Sequence, residues 1–355
     1  MSSVSHSLHA SHAWTTPNVP VVVSAPMMKI SLGRLAISVS SAGGIGFLAG
    51  GYDLSQLSEN LAEAAEYAKS TDIPLHNGVL PIGVGVLSWG ASLDLALEAL
   101  RKHPVAAVWL FAPRQLSDLL NWAKSIRQIS NNTTKIWVQV GTVAEAVEVA
   151  KTTKPDVLVV QGSDSGGHGL NERASLMTLL PEVRGVFEEE GIEGIPIVAS
   201  GGIIDGRGAA AALALGADGV CLGTRFLAST EAVIAKGYQN EVLRVGDGGV
   251  STVASTIYDT VRGINDWPRT YVGRGVVNRT FLDAMHGMGE QENIAMYKEA
   301  MKLGDLGWGP EGRMCTYAGT GIGLVKEVMS AGDIVRAVQR EAVEVLQKSA
   351  VKYKP

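Results

Sequence analysis

The sequence predicts an α/β protein whose main part is a (β/α)8 barrel, with a second, smaller and mainly helical lobe inserted near the C-terminus. Eight short apolar runs, most of them rich in β-branched residues, recur between residues 21 and 223. Segments with helical periodicity lie between most of these runs, which implies parallel crossovers. Most runs are continuously apolar, as is typical of strands buried on both faces. A doubly wound sheet is the alternative architecture.

The predicted strands follow in order along the chain. They are 21–26, 35–43, 81–87, 105–112, 135–140, 156–161, 195–200 and 219–223. In the glycine-rich run at 43–51, Gly44, Gly46 and Ala49 fit the GxGxxG/A dinucleotide fingerprint, but no crossover helix begins directly after it. We therefore interpret residues 43–51 as a flexible loop over the mouth of the barrel.

The chain divides into four predicted regions. Residues 1–17 are polar and are expected to form a flexible N-terminal tail, and residues 18–235 are expected to form the barrel. Residues 236–312 break the alternation of strands and helices, and we interpret them as a smaller, substrate-side lobe. Residues 313–355 are helical again, and they are expected to return to the barrel.

The composition excludes several classes of function. The net charge is −5 and no basic stripe stands out, so nucleic acid is not an expected partner. No apolar run is long enough for a membrane span. The N-terminus lacks the pattern of a secretory signal, and the two cysteines lie far apart in the sequence. These features predict a cytoplasmic protein.

Two glycine-bearing loops predict a phosphate site. In a (β/α)8 barrel, the loops after the seventh and eighth strands commonly bind phosphate at the carboxyl ends of the strands. Here Gly201 and Gly202 follow the seventh predicted strand, and a helix starts near Asp205. Backbone N–H groups of this pair and the positive end of that helix would hold the phosphate. Gly223 and Thr224 would add two further donors. The alternative is that both loops are only tight turns.

The motif QGSDSGGHG, residues 161–169, predicts a functional histidine. His168 follows two glycines in the loop after the sixth strand, at the same end of the barrel as the phosphate loops. A histidine there is suited to remove a proton or stabilise an anion. Gln161 is an uncharged donor and acceptor for a polar ring edge. Asp164 is either a partner of His168 or a turn residue, and a surface role for His168 is the alternative.

The remaining histidines point to no metal site. His6, His9 and His12 lie three apart in the N-terminal tail, where a metal site is possible, but a flexible tail would lack the fixed geometry that a metal requires. His76, His103 and His286 have no convergent partners in the sequence, so we interpret them as structural. His103 precedes a proline at a helix end, where a cation suits the helix dipole. No cluster with metal-ligand spacing and no nucleophile–base motif is evident. An organic cofactor anchored by its phosphate therefore best explains both the glycine loops and the histidine.

These motifs resemble those of a known family. QGSDSGGHG and SGGIIDGRGAAAALALGADGVCLGTRF resemble the nitronate monooxygenases, also called 2-nitropropane dioxygenases. APM, AGGIG and GTGIGL fit the same family, and the resemblance runs from about residue 18 to 340. It implies a barrel that binds FMN non-covalently and oxidises alkyl nitronates, with nitroalkanes as further substrates, by O2 to a carbonyl compound and nitrite. A small anionic nitronate and O2 are the implied partners, and a homo-oligomer is left open.

The resemblance also implies roles for individual residues. His168 matches the catalytic histidine of the family. The remaining predicted site residues, including Gly201 from the loop argument above, contact the cofactor: Met27, Gln139, Gln161, Gly166, Gly201, Gly202, Cys221, Leu222, Gly223 and Thr224. Gly85 departs from the pattern, because many members carry an asparagine there. Asp164, Ser165 and Cys221 also differ from the usual residues, which indicates a divergent branch.

Two other functions remain open from the sequence. One is an NAD(P)H-dependent flavin reductase of quinones or enoyl thioesters, since related barrels catalyse such reactions. The other belongs to a different class, a barrel that binds a phosphate-bearing ligand without any flavin. The glycine loops are compatible with all three functions, because each requires a bound phosphate.

Overall fold

The computed structural model describes residues 5–71, 73, 75 and 78–353, and its centre is a closed barrel of eight parallel strands. The predicted (β/α)8 architecture is therefore confirmed. The barrel closes where Val22 of the first strand pairs with Val220 of the last. Its strands are β1 (Val21–Ser24), β2 (Ile45–Gly51), β3 (Leu80–Leu87), β4 (Val105–Phe111), β5 (Lys135–Val140), β6 (Val157–Gln161), β8 (Ile197–Ser200) and β9 (Gly219–Leu222), while β7 (Gly167–Leu170) lies outside it.

Helices cover the outside of the barrel and bury its apolar outer face. The helices up to the end of the barrel are α1 (Ser5–Ser11), α2 (Gly33–Ser41), α3 (Leu57–Lys69), α4 (Leu93–Lys102), α5 (Asp118–Ser130), α6 (Val143–Thr152), α7 (Leu176–Glu189), α8 (Gly206–Ala214) and α9 (Thr224–Leu227). The C-terminal helix α15 (Ala331–Lys352) packs against α8 and α2. It therefore lies between these two helices in the layer that surrounds the barrel.

Two predictions near the second strand are wrong. Residues 35–43, expected as a strand, belong mainly to α2, and residues 43–51, expected as a flexible loop, contain β2. The apolar residues of α2 repeat at helical spacing, and short apolar runs do not by themselves distinguish helix from strand. Gly46 explains the glycines in β2, because a Cβ there would lie 1.9 Å from the carbonyl oxygen of Ala36. The glycine lets α2 pack directly on the strand.

The predicted flexible tail is also wrong from residue 5 onward. Residues 5–11 form α1, and the side chains of Leu8 and His12 are completely buried. The imidazole of His12 packs edge-on against Trp14 and Trp137, at centroid distances of 5.3 and 5.5 Å. Leu8 packs with residues of the barrel interior. This segment closes the amino-terminal end of the barrel, because burial of Leu8 outweighs the polar character of its neighbours.

Aromatic side chains fill the barrel below the functional end. The rings of Phe47, Trp109 and Trp137 pack with centroid distances of 5.0 to 5.9 Å. Gly83 leaves the space that Phe47 occupies, because a Cβ at this position would lie 2.1 Å from the phenyl ring. Paired aromatic rings add about 1 kcal/mol each beyond the area that they bury. These three rings therefore fill the floor of the barrel by aromatic packing.

The small lobe contains helices and a three-stranded antiparallel sheet. Its elements are α10 (Lys236–Arg244), α11 (Gly248–Ser251), β10 (Thr252–Ser255), α12 (Ile257–Arg262), β11 (Tyr271–Val276), α13 (Arg279–Met285), α14 (Glu290–Lys302) and two 3₁₀ turns, Gly304–Gly307 and Thr320–Leu324. The strand order is β10-β11-β7, so the lobe takes its third strand from the loop after β6. The sequence does not reveal this sheet, because its strands are only four to six residues long and two of them contain two glycines each.

Other sequence-level expectations concern isolated residues. His103 and His286 are the residues that end α4 and α13, where we predict a structural role for them. His76 lies outside the described residues. Within the part of the chain that the structure describes, every helix is too short or too polar to cross a bilayer.

Candidate active site

A cavity of about 370 Å³ opens at the carboxyl ends of the barrel strands. Its walls come from the ends of successive strands, among them Gly85, Gln139, Gln161 and Cys221. Residues of the small lobe close its other side. A barrel of this type carries its chemistry at this end, because the loops there are free to differ while the strands below stay packed. We refer to this space as the main cavity.

The structure brings nearly all predicted site residues together in the main cavity. Leu222 is the exception, since its side chain is completely buried in the layer between barrel and helices. Successive side chains of a strand point to opposite faces, so Cys221 faces inward and Leu222 outward. The predicted residues that line the cavity are Met27, Gln139, Gln161, Gly166, His168, Gly201, Gly202, Cys221, Gly223 and Thr224.

Two glutamine amides are held in fixed orientations at the cavity floor. The indole Nε1–H of Trp109 donates to Gln139 Oε1 at 3.1 Å. The amide nitrogen of Gln139 therefore keeps its hydrogens for a ligand. The amide nitrogen of Gln161 donates to the backbone carbonyl of His168 at 3.1 Å. This contact ties the end of β6 to the strand that carries the histidine.

The glycine pair after β8 adopts a backbone that requires glycine. Gly201 has φ +108° and Gly202 has φ +76°, and both lie in the left-handed region that disfavours side chains. A Cβ at Gly202 would approach the Asp164 side chain to 2.9 Å, and one at Gly201 would approach the Gly162 carbonyl oxygen to the same distance. The missing side chains therefore let the loop at 162–164 pack directly on this pair, which lines the edge of the main cavity.

The predicted contribution of the α8 N-terminus to a phosphate site is wrong. The carboxylate of Asp205 accepts hydrogen bonds from the N–H groups of Arg207 and Gly208, at 3.0 and 3.1 Å. The N–H of Gly206 donates to Glu341 of α15 at 2.7 Å. Two carboxylates thus already neutralise the positive end of this helix. The N–H groups of Gly206, Arg207 and Gly208 therefore already have acceptors within the protein.

The loop after β9 offers a hydroxyl donor. The Oγ1 of Thr224 is 3.0 Å from the backbone nitrogen of Gly319, which donates to it. The hydroxyl hydrogen of this buried threonine remains available for another acceptor. Gly319 itself packs against the loop at 164–166, since its Cβ would lie 2.4 Å from the Asp164 carbonyl oxygen. The segment GTGIGL therefore completes the ring of glycines around this edge of the main cavity.

His168 forms a buried pair with a carboxylate that sequence reasoning misses. Its Nε2 lies 2.8 Å from Oδ2 of Asp259, and both side chains are about nine-tenths buried. The imidazole stacks face to face on the indole of Trp267, with ring centroids 3.8 Å apart and planes within 3°. Strand β7 positions the histidine, while α12 and the segment after it supply its two partners. The imidazole is thereby fixed in place and in orientation.

A tyrosine holds the carboxylate in turn. The hydroxyl of Tyr317 donates to Oδ1 of Asp259 at 2.7 Å. Burial raises the pKa of the Tyr317 phenol well above its usual range, so the phenol remains a donor. The guanidinium of Arg262 lies 5.4 Å from the centre of the same ring. Asp164 is not the partner of His168, because its carboxylate accepts from the Thr320 hydroxyl at 2.7 Å.

Gly85, which departs from the family pattern, also has a local explanation. A Cβ at this position would lie 2.2 Å from Cβ of Pro26. Pro26 and Gly85 both line the main cavity, on neighbouring parts of its wall. The proline ring takes the space that a larger side chain at position 85 would need, so the segment after β1 fills the wall there rather than a side chain of β3.

The fold and the site together define a (β/α)8-barrel enzyme with a histidine–carboxylate pair in its active-site cavity. The model of the family described as nitronate monooxygenase matches residues 120–341. With the relatives described next, this match shows that the chain belongs to the nitronate monooxygenase family. The chain is therefore a monooxygenase, and the resemblance identified from its motifs is confirmed.

Individual relatives agree with this assignment. Nitronate monooxygenase npaC of Metarhizium robertsii is 46% identical over 338 residues, covering 94% of this chain and 93% of its own length. The nitronate monooxygenase of Neurospora crassa is 40% identical, covering 94% of this chain and 92% of its own. A solved structure of nitroalkane oxidase from Streptomyces ansochromogenes is similar with a TM-score of 0.68 and 25% identity, covering 93% of this chain and 98% of that chain.

Proposed function

We propose that this enzyme uses FMN and O2 to oxidise alkyl nitronates to a carbonyl compound and nitrite. The observation that carries the proposal is the position of His168, which lines the main cavity beside the glycine loops and is paired with a buried carboxylate. A nitronate is a small anion that this imidazole is suited to meet. The two similar proteins named nitronate monooxygenase support the same reaction class.

The residues around the main cavity fit FMN. The backbone of Gly201 and Gly202 and the hydroxyl of Thr224 would hold the phosphate, since all three residues line the main cavity and the two glycines present backbone without a side chain there. The amide nitrogen of Gln139 would donate to the flavin ring, because Trp109 occupies its oxygen. When bound, FMN supplies the electron transfer between the nitronate and O2.

His168 would serve two kinds of substrate. With a neutral nitroalkane, the imidazole accepts the proton of the α-carbon, and the C–H electron pair stays with the substrate as the nitronate. With a nitronate already formed, a protonated imidazole attracts the negative nitro oxygens. The remaining protein contribution is placement, because the walls of the cavity hold substrate and cofactor next to each other.

His168→Asn tests the role of the histidine. We expect the variant to keep its flavin and to lose about 100-fold or more of its turnover with nitroethane, because asparagine cannot act as a base. Turnover with ethyl nitronate should fall much less. Oxygen consumption measures both rates, and the visible absorbance of the purified protein measures the bound flavin. Oxidation of nitroethane at the parent rate would contradict the assigned role.

An absorption spectrum tests the cofactor and the reaction together. Purified protein is expected to show flavin absorbance that bleaches when a nitronate is added without O2. Anaerobic bleaching by NADH but not by a nitronate would favour the reductase of quinones or enoyl thioesters. Colourless protein that takes up no FMN would favour a barrel that binds another phosphate-bearing ligand.

A further inference from the structure

We propose that Asp259 is a positioning residue that fixes the tautomer of His168, so that Nδ1 is the ring nitrogen that takes the substrate proton. This inference rests on the proposed function, because it specifies how His168 removes a proton from a neutral nitroalkane. It assigns a role to the small lobe, since Asp259 lies on α12 and is separated from His168 by 91 positions in the chain.

The tautomer follows from the contact between the two side chains. An ionised carboxylate only accepts hydrogen bonds, so the 2.8 Å contact with Asp259 requires the hydrogen of the neutral imidazole to lie on Nε2. Nδ1 then carries the lone pair. Among residues 5–71, 73, 75 and 78–353, none forms a hydrogen bond with Nδ1. His168 lines the main cavity, so this nitrogen is the one left for a substrate.

The carboxylate is itself held from the far side. Oδ1 accepts the Tyr317 hydroxyl at 2.7 Å while Oδ2 meets His168, so both oxygens have partners at fixed positions. Trp267 covers one face of the imidazole and prevents the ring from tilting away. A base that is fixed in this manner does not have to reorient when the substrate binds. The activation free energy of proton transfer is therefore lower.

The proton balance of the step is simple. The bond between the α-carbon and its hydrogen breaks, and the proton moves to Nδ1. The electron pair of that bond becomes the C=N bond of the nitronate, whose negative charge lies on the two nitro oxygens. His168 becomes an imidazolium beside the Asp259 carboxylate, which stabilises the positive charge and accepts no proton.

Asp259→Asn tests the proposal. We expect turnover with nitroethane to fall about 100-fold, because the amide can donate to Nε2 and then favours the wrong tautomer. Turnover with ethyl nitronate should fall much less, since that substrate needs no proton removal and loses only part of the attraction to the imidazolium. Asp259→Glu should recover part of the lost nitroethane turnover. Asp266→Asn is the matched control, because this exposed aspartate lies in the same segment and lines no part of the main cavity.

Nitrogen-15 NMR of the imidazole gives a second readout that does not depend on turnover. The parent enzyme should show His168 with its hydrogen on Nε2, and Asp259→Asn should shift the hydrogen toward Nδ1. An Nδ1–H tautomer in the parent would overturn the proposal, and so would unchanged nitroethane turnover in a folded Asp259→Asn variant.

If Asp259→Asn does not fold, Tyr317→Phe replaces it. We expect this variant to show a smaller loss of nitroethane turnover relative to ethyl nitronate turnover. A parent that oxidises no nitronate contradicts the proposed function instead, while the tautomer measurement still stands.

Discussion

At the scale of single residues, the chain shows which parts of an active site leave a local signal. His168 is recognisable because two glycines precede it at the end of a strand. Asp259, Trp267 and Tyr317 lie far away in the sequence, in segments without a motif, and only the folded chain brings them to the imidazole. Leu222 is the reverse case, a residue predicted in the site that lies outside it. A motif match does not reveal which face of the strand a residue occupies.

Gly273 is the residue that gives the imidazole its space. It pairs with His168 across the small sheet, and a Cβ there would lie 2.7 Å from the Tyr317 ring and 3.3 Å from His168 Nε2. We expect Gly273→Ala to displace both rings and to lower nitroethane turnover about tenfold or more, with the flavin content unchanged. Oxygen consumption and flavin absorbance measure the two effects.

The control for this prediction is Gly249→Ala. Gly249 lies in the same lobe, is exposed and has no heavy atom within 4 Å of an added Cβ. Its variant should keep parent turnover. Equal rates for Gly273→Ala and the parent would show that the imidazole tolerates the extra methyl group.

At the scale of elements, the hydrophobic pattern predicts most of the barrel. The helix after β8 has Asp205 as its N-cap, close to the start that the sequence predicts. The Asp205 carboxylate accepts the N–H of Arg207, so this N–H group has no free hydrogen for a phosphate. The errors at α2 and β2 arise where a short apolar run fits either element. Strand β7 is not predictable from the sequence, because its four residues, GHGL, show no alternation of apolar and polar side chains. Its pairing with β11 also depends on tertiary structure.

The N-terminal segment makes stability depend on pH. Burial lowers the pKa of His12 to about 4, because the imidazolium form loses its hydration. Between pH 6.5 and about 4, the unfolded chain binds a proton there that the folded chain does not. Stability therefore falls as the pH decreases through this window, by about 3 kcal/mol in total.

Urea unfolding at pH 7 and pH 4.5 measures this effect. His12→Gln keeps a polar side chain but cannot titrate, so its free energy of unfolding should decrease less between the two pH values than that of the parent. Identical decreases in both proteins would mean that other groups cause the acid sensitivity.

At the scale of the whole molecule, cofactor binding should stabilise the fold. A ligand that binds only the folded state, at a free concentration of about 100 times its Kd, adds about 2.7 kcal/mol to the free energy of unfolding. If the glycine loops hold the phosphate, FMN should raise the Tm of the apoprotein more than riboflavin does at the same concentration. Thermal unfolding followed by circular dichroism measures the difference. Equal shifts with both ligands would argue against a phosphate site at Gly201, Gly202 and Thr224.

The assignment of residues 236–312 to a substrate-side lobe stays a prediction. The small sheet joins this lobe to the loop after β6, so the lobe cannot be exchanged alone in a chimera that tests the assignment. His168 sits on a strand from the barrel's own loop, while Asp259 and the neighbouring strand belong to the later segment. A chimera that exchanged only residues 236–312 with a relative would pair a native imidazole with a foreign carboxylate. Exchange of the lobe together with residues 162–175 therefore needs four crossover points rather than two, and natural shuffling of this enzyme faces the same requirement.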